Sequence, residues 1–252
     1  MRSVAKKIRL DKWVAEQGHA ESTSQAQALI MAGLVYVNGQ KADKPGMQVR
    51  TDGELDVRET LRYVSRGGLK LEGAMQAFPF SAEGIVALDV GASTGGFTDC
   101  LLQHGASKVY AVDVGHGQLH YRMQQDERVI NLEKHHVCRL TDEQVPEKVD
   151  ALVIDTSFIS LERVLPAAWP FLKPGGWTVA LIKPQFEVGP KLLSKGVVRE
   201  PEVRQWAVDK ICCMAAEQLD GAEIVGVTES PIHGPKGNVE FLLGLRKSAV
   251  SE

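Results

Sequence analysis

The spacing of hydrophobic and polar positions changes along the chain, and the change divides it into two parts. Over residues 8–18, IRLDKWVAEQG, apolar side chains at Ile8, Leu10, Trp13 and Val14 have helical spacing that Gly18 ends. Ser22 or Thr23 is placed to cap a second helix, SQAQALIMAG, closed by Gly33. Short alternating stretches follow: LVYVNGQKA reads as a hairpin turning at Asn38-Gly39, and VRTDGELDV as a further turn and strand. From residue 72 onward longer apolar runs alternate with helical patterns. Strands are expected at 86–90, 108–113, 129–132, 150–155 and 177–183, helices at 96–104, 118–124, 158–171 and 200–219, and two closing strands at 223–229 and 238–245. That order predicts an α/β doubly wound parallel sheet with an antiparallel pairing at its end. RETLRYVSRGGLKL reads as a basic linker over 59–71 that Gly67-Gly68 breaks, so the expected domains are 1–58 and 72–252. Pro174-Gly175-Gly176 is expected to turn the chain into its fifth strand.

Composition narrows the class. With 44% hydrophobic and 24% charged residues, the 252-residue chain has the make-up of a globular protein. No apolar run approaches the ~20 residues of a membrane helix, and MRSVAKKIRLDKW has no apolar signal core, so a cytoplasmic location is expected. Cys100, Cys138, Cys212 and Cys213 have no CxxC spacing and are expected as reduced thiols with no metal. The net charge of −3 hides an asymmetry: residues 1–70 carry 12 Lys and Arg against 8 Asp and Glu, within a chain total of 29 against 32. The basic end is the expected nucleic-acid surface, because phosphates are attracted to it at range.

The stretch VALDVGASTGGFT (86–98) is a short strand, an acid near its end, a glycine turn and the start of a helix. Its glycines, Gly91, Gly95 and Gly96, do not fit the dinucleotide fingerprint, since Ser93 stands where the second glycine would admit a pyrophosphate. No Lys-Ser or Lys-Thr pair follows, which excludes a Walker phosphate loop. A ligand with a ribose and no phosphate remains, and S-adenosylmethionine fits. A second strand, VYAVD, ends in Asp113 about 20 residues after the glycines, where a carboxylate reaches a ribose diol. Three more ionisable residues, Asp155, Lys183 and Glu240, fall at strand ends on the same rim, and Lys70 joins them from the first helix.

The motifs VSRGGLKL (64–71), DVGASTGGFTDCLLQ (89–103), VYAVDVGHGQL (109–119), DTSFISLERVLP (155–166), IKPQFEVG (182–189) and SPIHGPKGNVEFL (230–242) resemble the FtsJ-type RNA ribose methyltransferases, and more closely the TlyA or hemolysin A family. RLDKWVAEQG, the spaced Ser, Ala, Leu and Gly positions after it and the closing DGELDV resemble the RNA-binding domain named after ribosomal small-subunit protein four. The resemblance implies a Rossmann-like seven-stranded S-adenosylmethionine-dependent methyltransferase domain behind a small α+β RNA-binding domain. It further implies ribosomal RNA, within ribosomal subunits, as the partner, with no membrane involved.

The Lys-Asp-Lys-Glu tetrad of FtsJ-type enzymes falls on Lys70, Asp155, Lys183 and Glu240. A ribose 2′-hydroxyl is a poor nucleophile until its proton is accepted, and a lysine can accept it where desolvation and a neighbouring cation favour the neutral amine. Lys183 is the expected base, with Asp155 orienting it and Lys70 and Glu240 holding the ribose. Asp89, Gly91, Ala92, Ser93, Gly95, Gly96 and Phe97 are expected around the methionine half of the cofactor, Asp113 on its ribose, and Asp155 beside its methyl. Arg9, Lys12, Lys41, Lys44 and Arg66 are the expected RNA contacts. One stretch departs from the family: after the third strand EKHHVCRL offers His136 and Cys138 in place of an Asn and an Arg. Two other readings stay open, a non-catalytic RNA-binding protein that keeps the pocket and a cytolysin. The second lacks any spanning or long amphipathic segment.

Overall fold

The computed structural model describes residues 6–31, 33–57 and 62–249, in two compact units, Met1–Leu61 and Arg62–Glu252. The first unit contains β1 (Lys7–Arg9), α1 (Leu10–Glu16), α2 (Thr23–Met31), β2 (Val35–Val37), β3 (Gln40–Lys41), β4 (Gln48–Arg50) and β5 (Leu55–Val57). Ile8 belongs to a strand rather than to the expected first helix, because Lys7–Arg9 pairs antiparallel with Gln48–Arg50 and the helix starts only at Leu10. Ser22 caps α2, its Oγ accepting from the Gln25 N–H at 3.2 Å. Asn38 and Gly39, at φ 49° and 75°, make the hairpin turn between β2 and β3. Leu10, Trp13, Val14, Ala26, Ile30, Val35, Ala42 and Val49 form a core of its own for this unit.

The second unit opens with α3 (Gly67–Ala77) and continues β6 (Val86–Val90), α4 (Gly96–Gln103), β7 (Lys108–Asp113), α5 (Tyr121–Gln124), β8 (Val129–Glu133) and β9 (Val149–Ile154). It ends with α6 (Leu161–Ala168), β10 (Leu172–Ile182), α7 (Pro184–Glu187), α8 (Pro201–Gln218), β11 (Ala222–Glu229) and β12 (Phe241–Lys247). Seven strands form one sheet in the order β11-β12-β10-β9-β6-β7-β8. Strands β8, β7, β6, β9 and β10 run parallel, and β12 lies antiparallel between β10 and β11. The period of two sorts each strand between two cores: Leu88, Val90, Leu152 and Ile154 pack with α6 and α8, while Ala87, Ala151 and Val153 face the side of α3 and α4. No described helix is long and apolar enough to cross a membrane.

Two boundaries are corrected. Gly67-Gly68 does not separate domains; it starts α3, and Arg62 to Leu71 belong to the second unit, while residues 58–61 of the expected linker lie outside the described residues. The glycines serve close packing. A Cβ on Gly68 would fall 2.3 Å from the Tyr63 ring, and one on Gly96 would fall 2.9 Å from the Gly68 nitrogen, so the starts of α3 and α4 touch through backbone. The Pro174-Gly175-Gly176 run is likewise no turn before the fifth strand but an irregular stretch inside β10, where the register with β9 shifts between Leu172 and Trp177.

Candidate active site

The strand ends β6, β7 and β9 open on a cavity of about 620 Å³, within the range of small-molecule sites. Val90, Gly91, Ser93, Asp113, Gln118, His136, Asp155 and Phe158 are among its lining residues. The turn after β6 can approach β9 closely because position 91 is glycine: at φ 87°, an added Cβ would lie 2.7 Å from the Asp155 carbonyl oxygen. Asp113, at the end of β7, accepts from the Ser93 N–H at 2.8 Å and the Gly115 N–H at 2.7 Å. Each carboxylate oxygen is thereby oriented and keeps a lone pair for a ligand hydroxyl. The loop after β7 is organised by Glu133, which ends β8 and accepts from the Gln118 N–H at 2.7 Å. Desolvation pushes its carboxyl up, but the backbone N–H groups of Gly117, Gln118 and Leu119 and the Asn131 amide outweigh it and hold it at about 2.

Not every expected cofactor residue reaches this space. Gly91, Ser93, Asp113 and Asp155 line the cavity, whereas Asp89, Ala92, Gly95, Gly96 and Phe97 are buried and are absent from its lining. Gly95, at φ 89°, leads into α4, and Leu119 and Met123 stand 2.9 Å from where its Cβ would be. These residues shape the turn from behind. His136 does line the cavity; its Nδ1 accepts from the Cys138 N–H at 3.1 Å, and the Cys138 thiol lies 3.7 Å from the Arg163 carbonyl.

Asp89 is fully buried, with Oδ2 accepting from the Thr98 hydroxyl at 2.6 Å and Oδ1 without a hydrogen-bond partner. Desolvation raises its carboxyl to about 7 in spite of the Thr98 bond. An unfolded aspartate titrates near ~3.9. Between that value and about 7 the folded protein holds a proton that the unfolded chain has released, so stability falls as pH rises through this window. Asp89→Asn retains an acceptor for Thr98 and carries no charge. Melting temperatures of the variant relative to the native protein should therefore rise from about pH 4 to about pH 7 and level off above, and parallel curves would rule out the buried proton.

Beside the cavity four charged side chains from four separate elements meet. Lys70 Nζ of α3 donates to Glu240 Oε2 at 2.7 Å and stands 3.9 Å from Asp155 Oδ2. Lys183, immediately after β10, has its Nζ 2.7 Å from Asp155 Oδ1 and donates to Ser157 Oγ at 2.9 Å. Lys70, Lys183 and Glu240 are buried, and Asp155 is partly so. Two lysines and two carboxylates compensate one another here, which a water-poor site requires of its charges. Glu240 Oε1 has no hydrogen-bond partner and rests against Gly234, where no side chain could fit.

The expected RNA contacts Arg9, Lys12, Lys41, Lys44 and Arg66 are all exposed. Arg9 is nevertheless engaged, donating from Nε and Nη2 to the buried Asp11 at 3.1 and 2.7 Å. The Arg9 bonds bring the Asp11 carboxyl down to about 2. Ser157, Glu187 and Glu133 were not expected at the site. Ser157 stands two residues after Asp155, the one sequence signal it carries. Glu133 and Glu187 act through backbone N–H groups of segments 14 to 26 residues away, which no local pattern reveals.

A mostly parallel seven-stranded sheet with an antiparallel strand beside its edge, and a glycine turn opening on a cavity at the strand ends, place the second unit in the Rossmann-like class of folds. Residues 63–247 match the FtsJ-like methyltransferase family and residues 8–55 match the S4 domain. The chain belongs to the FtsJ-like methyltransferase family, with an S4 domain ahead of it. It is 43% identical over 246 residues to the 16S/23S rRNA (cytidine-2′-O)-methyltransferase TlyA of Mycobacterium tuberculosis, covering 96% of this chain and 91% of that protein. It is 41% identical over 239 residues to Hemolysin A of Brachyspira hyodysenteriae, covering 93% and 98%. A solved Streptococcus thermophilus structure described as a candidate hemolysin matches with a TM-score of 0.74 at 43% identity, over 96% of this chain and 89% of the other.

Proposed function

We propose that this protein is an S-adenosylmethionine-dependent 2′-O-methyltransferase of ribosomal RNA, acting on ribosomal subunits. The observation that carries the reading is the meeting of Lys70, Asp155, Lys183 and Glu240 beside the cavity that Asp113 and the Gly91 turn line. The cavity suits the donor: it has the volume, an oriented carboxylate for a ribose diol, and a glycine where a side chain would block the floor. When bound, the donor supplies a methyl group already activated by its sulfonium charge. Lys183 would accept the proton of the ribose 2′-hydroxyl, with Asp155 balancing the charge that the amine acquires. Lys70 and Glu240 would grip the ribose, Glu240 through the oxygen left without a partner. The S4 match and the name of the tuberculosis relative support RNA as the substrate.

Methyl transfer from labelled donor to purified ribosomal subunits, followed by mapping of the modified ribose, tests the reading. No incorporation into either subunit, or erythrocyte lysis by the purified protein, would overturn it. Donor binding should need no RNA, since its groups all lie in the second unit. Asp113→Ala should weaken that binding by an order of magnitude or more, as expected for a lost charged hydrogen bond of ~1.5–3 kcal/mol. Unchanged affinity in calorimetry would remove Asp113 from the site.

A further inference from the structure

A lysine that serves as a base must present its nitrogen in one direction, and its four-carbon stem does not supply that constraint. Around Lys183 two oxygens lie within bonding distance, and they differ in kind. Asp155 Oδ1 is 2.7 Å away but has no partner of hydrogen-bond geometry, so its attraction is Coulombic and only weakly directional. Ser157 Oγ, at 2.9 Å, accepts the hydrogen bond that the Lys183 amine makes. Among the described residues it is the one acceptor in hydrogen-bond geometry with the amine, whose other neighbour is the Phe186 ring, 6.0 Å away at its centroid.

Ser157 is itself held in place by the segment that bears Lys183. Glu187, buried one turn of α7 further on, accepts from the Ser160 hydroxyl at 2.5 Å and from the Leu161 N–H at 2.9 Å. The Phe186 ring contacts Phe158 with centroids 5.1 Å apart. Between these ties Phe158, its side chain largely exposed, sits at φ 64°, a conformation rare for a bulky residue. The loop from Asp155 to Ser160 and the turn from Lys183 to Glu187 thus brace each other at both ends.

We infer that Ser157 is a positioning residue for the proposed reaction, one that aims the Lys183 amine at the substrate hydroxyl. This rests on Lys183 being the base. With one N–H committed to Ser157 and another drawn toward Asp155, the remaining tetrahedral position of the neutral nitrogen carries the lone pair. That position is then free to take the proton of the ribose hydroxyl, after which Lys183 is an ammonium and the ribose oxygen holds the electron pair for the methyl.

The test uses the full chain, labelled S-adenosylmethionine and ribosomal subunits. Ser157→Ala should lower the single-turnover rate about tenfold at saturating donor while KM for subunits and melting temperature stay at native values, because a misdirected amine affects only the chemical step. Ser157→Thr, which restores the hydroxyl, should recover most of the rate. Combining Ser157→Ala with Lys183→Ala should cost no more than Lys183→Ala alone, since the serine acts only through the lysine. A native rate in Ser157→Ala, or a further loss in the double variant, would overturn the inference. If Lys183→Ala abolishes transfer and Ser157→Ala does not slow it, the positioning role alone fails. If Lys183→Ala is itself active, the base assignment fails and the role of Ser157 with it.

Discussion

Replacing Lys183 by alanine should reduce the single-turnover methylation rate by about a hundredfold or more while leaving donor and RNA binding near native levels. A positioned general base contributes ~10²–10⁴ to a rate. Lys183 pairs with Asp155 and Ser157, and neither the glycine turn nor Asp113 is among its hydrogen-bond or ion-pair partners. The carboxylate and turn that would hold the donor's ribose therefore keep their own bonds without it. The loss leaves Asp155 with Lys70 at 3.9 Å as its remaining cation, so the carboxylate stays partly compensated and the fold should survive. Lys183→Arg separates a base from a charge clamp, because a guanidinium keeps its proton at any working pH. The arginine variant should be as inactive as the alanine one. Retention of most activity in Lys183→Ala would show that the proton leaves by another route and that the four charges only grip the substrate.

Removing residues 1–61 should collapse RNA affinity and flatten its salt dependence, with donor binding unchanged. The first unit has its own core and the second has its own sheet, so the cut falls between units rather than through one. Each phosphate contact contributes close to ~0.9 to the slope of log affinity against log salt on a duplex. Neutralising the exposed Lys12, Lys41 and Lys44 together in the full chain should therefore lower the slope by roughly 2–3 and weaken binding across sequences alike. Arg9 should contribute less than its charge suggests, since Asp11 already engages it. Filter binding of ribosomal RNA over a range of salt checks both. Equal affinity of the truncated and full chains would move the RNA surface onto the second unit.

Much of the architecture could be read from the sequence because it is written locally. Strands β6, β7 and β8 begin and end within a residue of expectation, since each is an alternating or buried run stopped by glycine or by an acid. The hairpin at Asn38-Gly39 follows from two residues that tolerate positive φ. Where the structure departs from local pattern, one cause recurs. Gly67-Gly68 and Pro174-Gly175-Gly176 are breakers by composition, but Gly67-Gly68 lies against Tyr63 and Gly96 and the second run is drawn into β10, so tertiary packing overrode local preference. The spacing of Ile8 predicts a helix, but it belongs to a strand because Val49 lies opposite it.

The tetrad divides in the same way. The sequence by itself determined that Asp155 and Lys183 end buried strands, because an apolar run must stop where the chain meets solvent or a site, and ionisable residues stand at those stops. It determined too that the turn after β6 needs glycine, since the chain must reverse there with room for backbone approach. The sequence could not set the distance from Lys70 to Glu240. They are 170 residues apart and 2.7 Å distant because β12 inserts antiparallel beside β10 and α3 packs through two glycines against α4. Strand order is a property of the whole sheet, decided by which faces must be buried against which helices, and no local pattern carries it. The bond from Lys183 to Ser157 and the brace of Glu187 on Leu161 have the same origin: the segments that follow β9 and β10 are neighbours only because those strands pair in parallel register, Ala180 opposite Ile154.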